Sequence, residues 1–424
     1  MIFGFLYESG MVLFNLFLWL AAPFSPKIRA MLSGRAKTLS IIRKYRTDHP
    51  DALLIWFHAA SAGEFEQALP VIRMLKEKNP DLAVAVSFFS PSGYELRHNH
   101  PLVDVSFYLL HDFQFNGPVI FRCLKPAALV LVKYEFWYNL LRAGKRLEIP
   151  VISICCILKK EKFQGLFSGW LMKKCLALIH YFFVQNVKTS RLLTDAGIMH
   201  FTLNGDTRVD RVLEIKEIKT ELPWLGEWKG QHKLMVIGSA WAEDVMFLHD
   251  FLRHAVVEAH GLWRVLIAPH EISGSHFEDL KHALRLPFEL FSDWQSDPVE
   301  TDILILNTVG MLAKTYRYAD AAWIGGGFKT GLHNTLEAAV YGIPVGFGPQ
   351  FQKFQEACDL TEMGLARSFS VPAGVWEFFQ SASENPEAAA NFKRISDLYF
   401  ERQKGASEVI VTFLSELFFS AEKN

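Results

Sequence analysis

The stretch HAASAGE at 58–64 brings a histidine, a serine and a glutamate close together, directly after the apolar run LLIWF at 53–57. A glutamate held at such a point can take a proton from a hydroxyl, which is the work of a general base. It can equally serve the chain itself. Ser61 and Glu64 have the S-x-x-E spacing of a capping box, and a helix start favours an acid through the macrodipole. The local pattern leaves both roles open. Small residues surround the acid, Gly63 among them, so little bulk stands between it and a ligand.

The geometry of this junction follows from periodicity. LLIWF has no helical period and reads as a strand buried on both faces. Apolar residues resume at helical spacing at Ala68, Leu69, Ile72 and Leu75, so Glu64 stands where a strand passes into a helix. Ligands of open α/β sheets bind beyond the carboxyl ends of strands. A second junction, VKYEFWYNLL, follows another strand and is expected to set Glu135, Trp137 and Asn139 at the same rim as Glu64. A solvated helix start would account for those residues as well.

The second half carries a glycine cluster, Gly325, Gly326, Gly327 and Gly331, in WIGGGFKTGLHNTLEAAVYG. Glycine lets backbone approach a ligand closely, and the free N–H groups of a helix start bind phosphate. The helix is expected to begin near His333, Asn334 and Thr335, with Glu337 in its first turn, where a ribose diol could be held. The spacing is neither a Walker A sequence nor a strict G-x-G-x-x-G, and a purely structural glycine turn fits too. Gly238 and Ser239 close one further strand, and Pro269 and His270 the next. A lone histidine at a strand end is more often structural than functional.

Positioning these residues requires two alternating α/β halves. Strands are expected at 53–57, 82–89, 103–110, 127–134, 151–157, 181–186 and 201–206, and again at 233–239, 263–269, 301–307, 321–326 and 343–348, with room for crossover helices between them. Two Rossmann-like domains in tandem result. The charged segment 207–232, which contains Pro223, reads as the connection between them. The chain has 424 residues, half of them hydrophobic, which excludes a disordered protein; a net charge of −1 argues against a general nucleic-acid partner. Five cysteines without a C-x-x-C pair give no support for a disulfide framework or a zinc site.

The N-terminus is unlike the rest. Its first 24 residues contain one charge, Glu8, and are followed from Pro26 to Thr47 by Lys27, Arg29, Arg35, Lys37, Arg43, Lys44 and Arg46 with no acid. The apolar segment is long enough to span a bilayer or to lie in its interface, and the basic run suits anionic headgroups on the cytoplasmic side. A buried helix of the first domain is the alternative. No basic region precedes the apolar one, as a signal peptide would require. A second basic group, Lys159, Lys160, Lys162, Lys173 and Lys174, is interleaved with Phe163, Phe167 and Trp170, and could contact lipid and phosphate or form the solvated face of an ordinary amphipathic helix.

In this order the motifs resemble those of the Kdo (3-deoxy-D-manno-oct-2-ulosonate) transferases of lipopolysaccharide assembly. HAASAGE is similar to their A-S-V-G-E, YEFWYN to E-T-E-x-W-P-N, NGDTRVD to G-N-x-K-x-D, and LHNTLEAA to G-G-H-N-x-L-E-P. There are departures. Lys133 stands for the first glutamate of E-T-E, Tyr138 and Ala338 replace prolines, and Pro269-His270 lacks the arginine of P-R-H.

The resemblance implies an α/β protein of the GT-B class, two Rossmann-like domains facing across a cleft with an N-terminal membrane-associated helix. The divisions expected are an anchor at 1–25, an acceptor domain at 26–206, the connection at 207–232, a CMP-sugar domain at 233–400, and a tail helix at 401–424 that packs back on the first domain. It implies inverting transfer of Kdo from CMP-Kdo to a lipid A precursor at the cytoplasmic face of the inner membrane, with Glu64 as the base. Ser61, Gly63, Glu135, Trp137 and Asn139 would support it. Gly238, Ser239, Pro269, His270, Gly326, Gly327, His333, Asn334, Thr335 and Glu337 would bind the donor, with Arg208 or Lys329 replacing the missing arginine. No metal or other cofactor is expected, since CMP leaves readily and no D-x-D sequence is present. Other lipopolysaccharide-assembly enzymes are conceivable partners. The rival readings are a GT-B enzyme acting on a UDP-sugar, as transferase or epimerase, and a membrane scaffold without activity.

Overall fold

The computed structural model describes residues 2–218, 221–258, 262–296, 300–329 and 331–419. The chain divides into two units, Met1–Arg211 with Gln403–Asn424, and Val212–Arg402. Among the described residues each unit holds one seven-stranded sheet whose paired strands all run parallel.

In the first unit the strands are β1 Leu54–Ala59, β2 Ala83–Phe88, β3 Val105–Tyr108, β4 Ala128–Val132, β5 Val151–Cys156, β6 Tyr181–Val184 and β7 Phe201–Leu203, in the order β3-β2-β1-β4-β5-β6-β7. The period of two is visible in β1. Leu54 and Trp56 enter one core layer, while Ile55, Phe57 and Ala59 enter the other. Burial on both faces is why these segments read as unbroken apolar runs.

The second unit has β8 Lys233–Ala240, β9 Trp263–Pro269, β10 Glu289–Leu290, β11 Ile303–Ile305, β12 Ala321–Ile324, β13 Val345–Phe347 and β14 Ala366–Ser368, in the order β10-β11-β9-β8-β12-β13-β14. All twelve strands anticipated from the sequence are present. The two not anticipated, β10 and β14, are edge strands of two and three residues that include Glu289 and Arg367 and so make no apolar run.

The segment 207–232 is more ordered than expected of a connection. Thr207–Glu217 and Pro223–Lys229 are helices, and the boundary between the units falls inside the first, at Arg211 and Val212. Val209 and Val212 are buried at helical spacing beneath the charged surface that suggested a linker. Residues 219 and 220 of that segment lie outside the described residues.

The C-terminal helix Ala406–Phe419 belongs to the first unit and packs on the helix Ala62–Lys78. Its Ile410, Val411 and Leu414 share a core layer with Phe65 and Leu69. Asp210 fixes its start by accepting the N–H groups of Gly405 at 2.7 Å and Ser407 at 2.6 Å. The expected tail ran to 424, and 420–424 lie outside the described residues.

The N-terminal helix Ile2–Ala21 docks through a polar edge and through buried Met11 and Leu18, the latter packed with Met31 and Tyr108. Tyr7 Oη donates to Asp112 Oδ2 at 2.6 Å, and Glu8 Oε1 accepts from Asn139 Nδ2 at 2.7 Å. Phe5, Leu13, Phe17, Trp19 and Leu20 on the same helix are exposed. Gly4–Phe24 is long and apolar enough to cross a membrane, and only 17% of its most apolar window is buried. The basic run that follows is less of a surface feature than its sequence suggested. Arg35 is buried and donates to the Leu109 carbonyl, and Arg46 donates to the carbonyls of Ala52, Leu124 and Lys125. Those two side chains hold the helix Pro26–Asp48 to the fold.

Candidate active site

Strand order reverses between β1 and β4 in the first unit and between β8 and β12 in the second. Such a reversal opens a crevice at the carboxyl ends of the two strands, because their crossovers leave on opposite faces. Most of the candidate residues stand at these two points.

Glu64 is in the first turn of the helix Ala62–Lys78 and is 7% exposed. Ser61 caps this helix, its Oγ accepting the Glu64 N–H at 3.4 Å. The other half of the anticipated capping box is displaced by one residue: Glu64 Oε2 accepts from the N–H of Ala60 at 2.5 Å. Gly63 is exposed, and a Cβ there would meet open space. Burial is the main influence that raises the Glu64 pKa, with the charge of Glu135 second; Lys133, the Ala60 N–H and His58 act in the opposite sense. A carboxylate so held is a stronger base than a solvated one.

Glu135 lies beside it, accepting Trp137 Nε1 at 3.2 Å and standing 3.8 Å from His58 Nε2. His58 is fully buried in β1 and had no assigned role from sequence. Its Nδ1 reaches the carbonyl and the hydroxyl of Ser87 at 3.1 and 2.9 Å, and Nε2 is buried without a hydrogen bond. Trp137 stacks on Phe89 with centroids 5.3 Å apart. Lys133, noted only as a departure, ends β4 in the left-handed region at φ 63° and lends its charge to Glu64. A non-glycine residue held there is strained, as is common beside functional sites.

Asn139 is not at this rim. It is buried, its N–H donates to Asp112 Oδ2 at 2.8 Å, and its amide spans Glu8 and the Asp112 carbonyl. The helix Tyr138–Arg146 turns it away from Glu135 and toward the N-terminal helix. Arg208 belongs to the first unit and grips Asp206, with Nε 2.8 Å from Oδ2 and a second contact at 2.6 Å. Burial alone would raise the Asp206 pKa, but Arg208 and Gln67 hold it below the usual carboxylate value.

At the second switch point three rings gather. Trp241 stacks on His270 with centroids 4.6 Å apart, and His270 lies 4.5 Å from His333. Trp241 Nε1 donates to His333 Nε2 at 3.3 Å, so that nitrogen carries no proton. Burial, then the neighbouring His270, pushes the His333 pKa down to about 4, and the ring is neutral at physiological pH. Pro269 ends β9 immediately before His270, whose N–H donates to Ala240. Ser239 sits in a strand bulge at φ 52° beside Gly238.

The glycine cluster does different work from that expected of it. The Gly326 N–H donates to Asp244 Oδ2 at 3.1 Å, that of Gly325 to the Gly238 carbonyl, and that of Gly331 to the Gly326 carbonyl. These groups are used within the protein. Gly327 packs against Gly348 so closely that a Cβ would stand 2.7 Å from the Gly348 nitrogen. The helix that follows is a single turn, Leu336–Ala339, starting after Thr335 and not at His333, so it presents no extended dipole. Thr335 is buried, and Asn334 Nδ2 donates to Glu337 Oε1 at 3.0 Å. Buried Asp244 binds Trp241 N–H, Gly326 N–H and Trp323 Nε1, tying the two strand ends together. Lys329 is 73% exposed on its side chain and pairs with Glu243 at 2.6 Å, which makes it the candidate cation that lies in this unit.

The two doubly wound parallel units, each with a residue cluster at its switch point, define the GT-B class. A solved UDP-N-acetylglucosamine 2-epimerase superimposes with a TM-score of 0.61, covering 88% of this chain and 97% of that one at 14% identity, a likeness of fold. Residues 34–211 match the family of 3-deoxy-D-manno-octulosonic-acid transferases (kdotransferases). The chain is 26% identical to a probable mitochondrial 3-deoxy-D-manno-octulosonic acid transferase of Arabidopsis thaliana over 88% of its own length and 87% of that protein's. It is also 26% identical to the 3-deoxy-D-manno-octulosonic acid transferase of Chlamydophila psittaci (strain ATCC VR-125 / 6BC), over 83% of this chain and 82% of the relative. In its first unit by the family match, and over most of its length by these relatives, the chain is similar to the Kdo transferases, a group of glycosyltransferases.

Proposed function

We propose that the protein transfers Kdo from CMP-Kdo to a phosphorylated, acylated lipid A precursor, with inversion and with Glu64 as general base. The observation that carries this reading is the buried Glu64 at the β1–β4 switch point, held by the Ala60 N–H with its pKa raised by burial and Glu135. The Glu64 carboxylate takes the proton of the acceptor hydroxyl as that oxygen bonds to the anomeric carbon. The bond from that carbon to the CMP phosphate oxygen breaks in the same step, and CMP leaves with the electron pair. His58 and Glu135 orient and tune the base. In the second unit, Trp241, His270 and His333 offer ring faces and edges for the nucleotide, and Lys329 a cation for its phosphate. We propose that no metal takes part, because one phosphate charge can be balanced by donors of the protein.

The relatives support the sugar, and the exposed apolar face of Gly4–Phe24 supports an acceptor met at a membrane surface; we propose the cytoplasmic side from the basic run that follows it. The test is transfer from CMP-Kdo generated in situ to a tetraacyl precursor, comparing wild type with Glu64→Gln, and thermal stabilisation by CMP against UDP. Transfer by wild type, loss in Glu64→Gln and stabilisation by CMP are expected. Stabilisation by UDP alone, with no Kdo transfer, would instead assign a UDP-sugar reaction.

A further inference from the structure

A pocket of about 440 Å³ opens beside the Glu64 group in the first unit, at the carboxyl ends of β4 and β5. Its lining is largely apolar, with Phe136, Leu158, Leu171, Met172 and Cys175 beside Tyr134 and Ser168, and the exposed Lys159 and Lys162 complete it. The volume falls within the range of roughly 300–1,000 Å³ typical of small-molecule sites. Met172 in the wall is flexible and polarizable and adapts its shape to an apolar occupant. Both lysines are exposed, and among the described residues no ion pair engages either of them. Glu161 is the acid that lies between them in sequence.

Two further observations say what enters. The helix Leu166–Leu176 that walls the pocket turns Leu166 outward at 91% exposure, an exposed apolar side chain on a wall of the pocket. Tyr134, also in the wall, feels the charges of both Glu64 and Glu135, so the pocket neighbours the proposed base. A largely apolar hole with exposed cations in its lining matches an amphiphile with a phosphate at the head.

We propose that this pocket seats one acyl chain of the phosphorylated acceptor, with Lys159 and Lys162 on its phosphate. The assignment rests on the acceptor reading above. It makes the pocket the element that selects an acylated over a deacylated acceptor.

Binding is measured on the full chain without donor, using dodecyl phosphate below its micelle concentration, by calorimetry. Affinity should fall about fourfold for each methylene removed from the probe, the equivalent of roughly 0.8 kcal/mol per methylene. Met172→Trp, which fills the cavity, should weaken the probe at least tenfold. The double change Lys159→Glu with Lys162→Glu lies on the surface, spares the core, and should weaken dodecyl phosphate tenfold while leaving dodecanol unchanged. In wild type the tetraacyl acceptor should displace the probe and its deacylated form should not. Variants that bind the probe like wild type would overturn the pocket. Pocket-dependent binding that the acylated acceptor fails to displace would overturn the acceptor assignment and leave a site for bulk lipid. Because no arm requires turnover, absence of Kdo transfer would count against the proposed reaction separately.

Discussion

Glu64→Gln separates a catalytic base from a helix cap because it preserves the shape and removes the charge. Glutamine still offers an oxygen to the Ala60 N–H, which Glu64 meets at 2.5 Å, and Ser61 still caps the helix. Burial and Glu135 together make ionisation of Glu64 unfavourable, so the neutral variant should unfold at the same or a higher temperature at neutral pH. Loss of a general base slows turnover by about 10²–10⁴-fold, or roughly 3–5 kcal/mol of barrier. The base must be deprotonated, so kcat/KM rises with pH through its folded pKa. That value is above the ordinary 4.5, and the acid limb of the profile lies correspondingly higher. Glu135→Gln removes a raising charge and moves the limb to lower pH. Lys133→Met removes a lowering charge and moves it up. The stability sign is opposite to that of a salt-bridged carboxylate: the native state binds the proton more tightly, so wild type loses stability as pH rises from the unfolded pKa through the folded one, and Glu64→Gln does not. Initial rates from pH 4.5 to 8.5 and unfolding over the same range measure both. A Glu64→Gln enzyme whose kcat/KM stays within threefold of wild type would refute the reasoning.

Asp112 accepts from Tyr7, Asn139 and Leu140, and burial raises its pKa from 3.8 to about 6. Wild-type unfolding free energy should therefore fall by up to ~3 kcal/mol as pH climbs between those values, and Asp112→Asn should flatten that slope in denaturant titrations. Asp112→Ala should also release the N-terminal helix to limited proteolysis, since it leaves three donors without their acceptor. Gly327→Ala places a methyl against the Gly348 backbone, which cannot yield as a side chain can, and should cost about 1–3 kcal/mol in chemical unfolding. Trp241→Ala breaks the ring stack on His270 and the bond to His333, and should abolish thermal stabilisation by CMP while leaving the first unit intact in hydrogen exchange.

Much of the scaffold is legible in the chain because parallel strands buried on both faces leave continuous apolar runs, and those runs fall where the strands are. The edge strands β10 and β14 and the helix Thr207–Glu217 escaped, the first two because Glu289 and Arg367 break any apolar run and the last because its two buried valines are outnumbered by charges. Of the site, Glu64, Glu135, Trp137, His270 and His333 stand at switch points as their positions after strands implied. His58, Lys133, Trp241 and Asp244 were missed, although each also sits at or just after a strand end, a signal that could have found them.

The linear order of residues was enough to establish two doubly wound halves, the strand-to-helix junctions where the candidate residues stand, and a resemblance to the Kdo transferases. A strand must alternate its faces and a helix must repeat every three to four residues, and both rules act over short distances along the chain. Only the tertiary structure decided which groups meet. It turned Asn139 and Asp112 toward the N-terminal helix, committed the N–H groups of Gly325, Gly326 and Gly331 to internal hydrogen bonds, and withdrew Arg35 and Arg46 from the basic surface. It also set Glu135 and Lys133 around Glu64. Those outcomes depend on contacts between distant segments, where a buried polar group must find a partner or bear the cost of desolvation, and spacing along a sequence does not specify that partner.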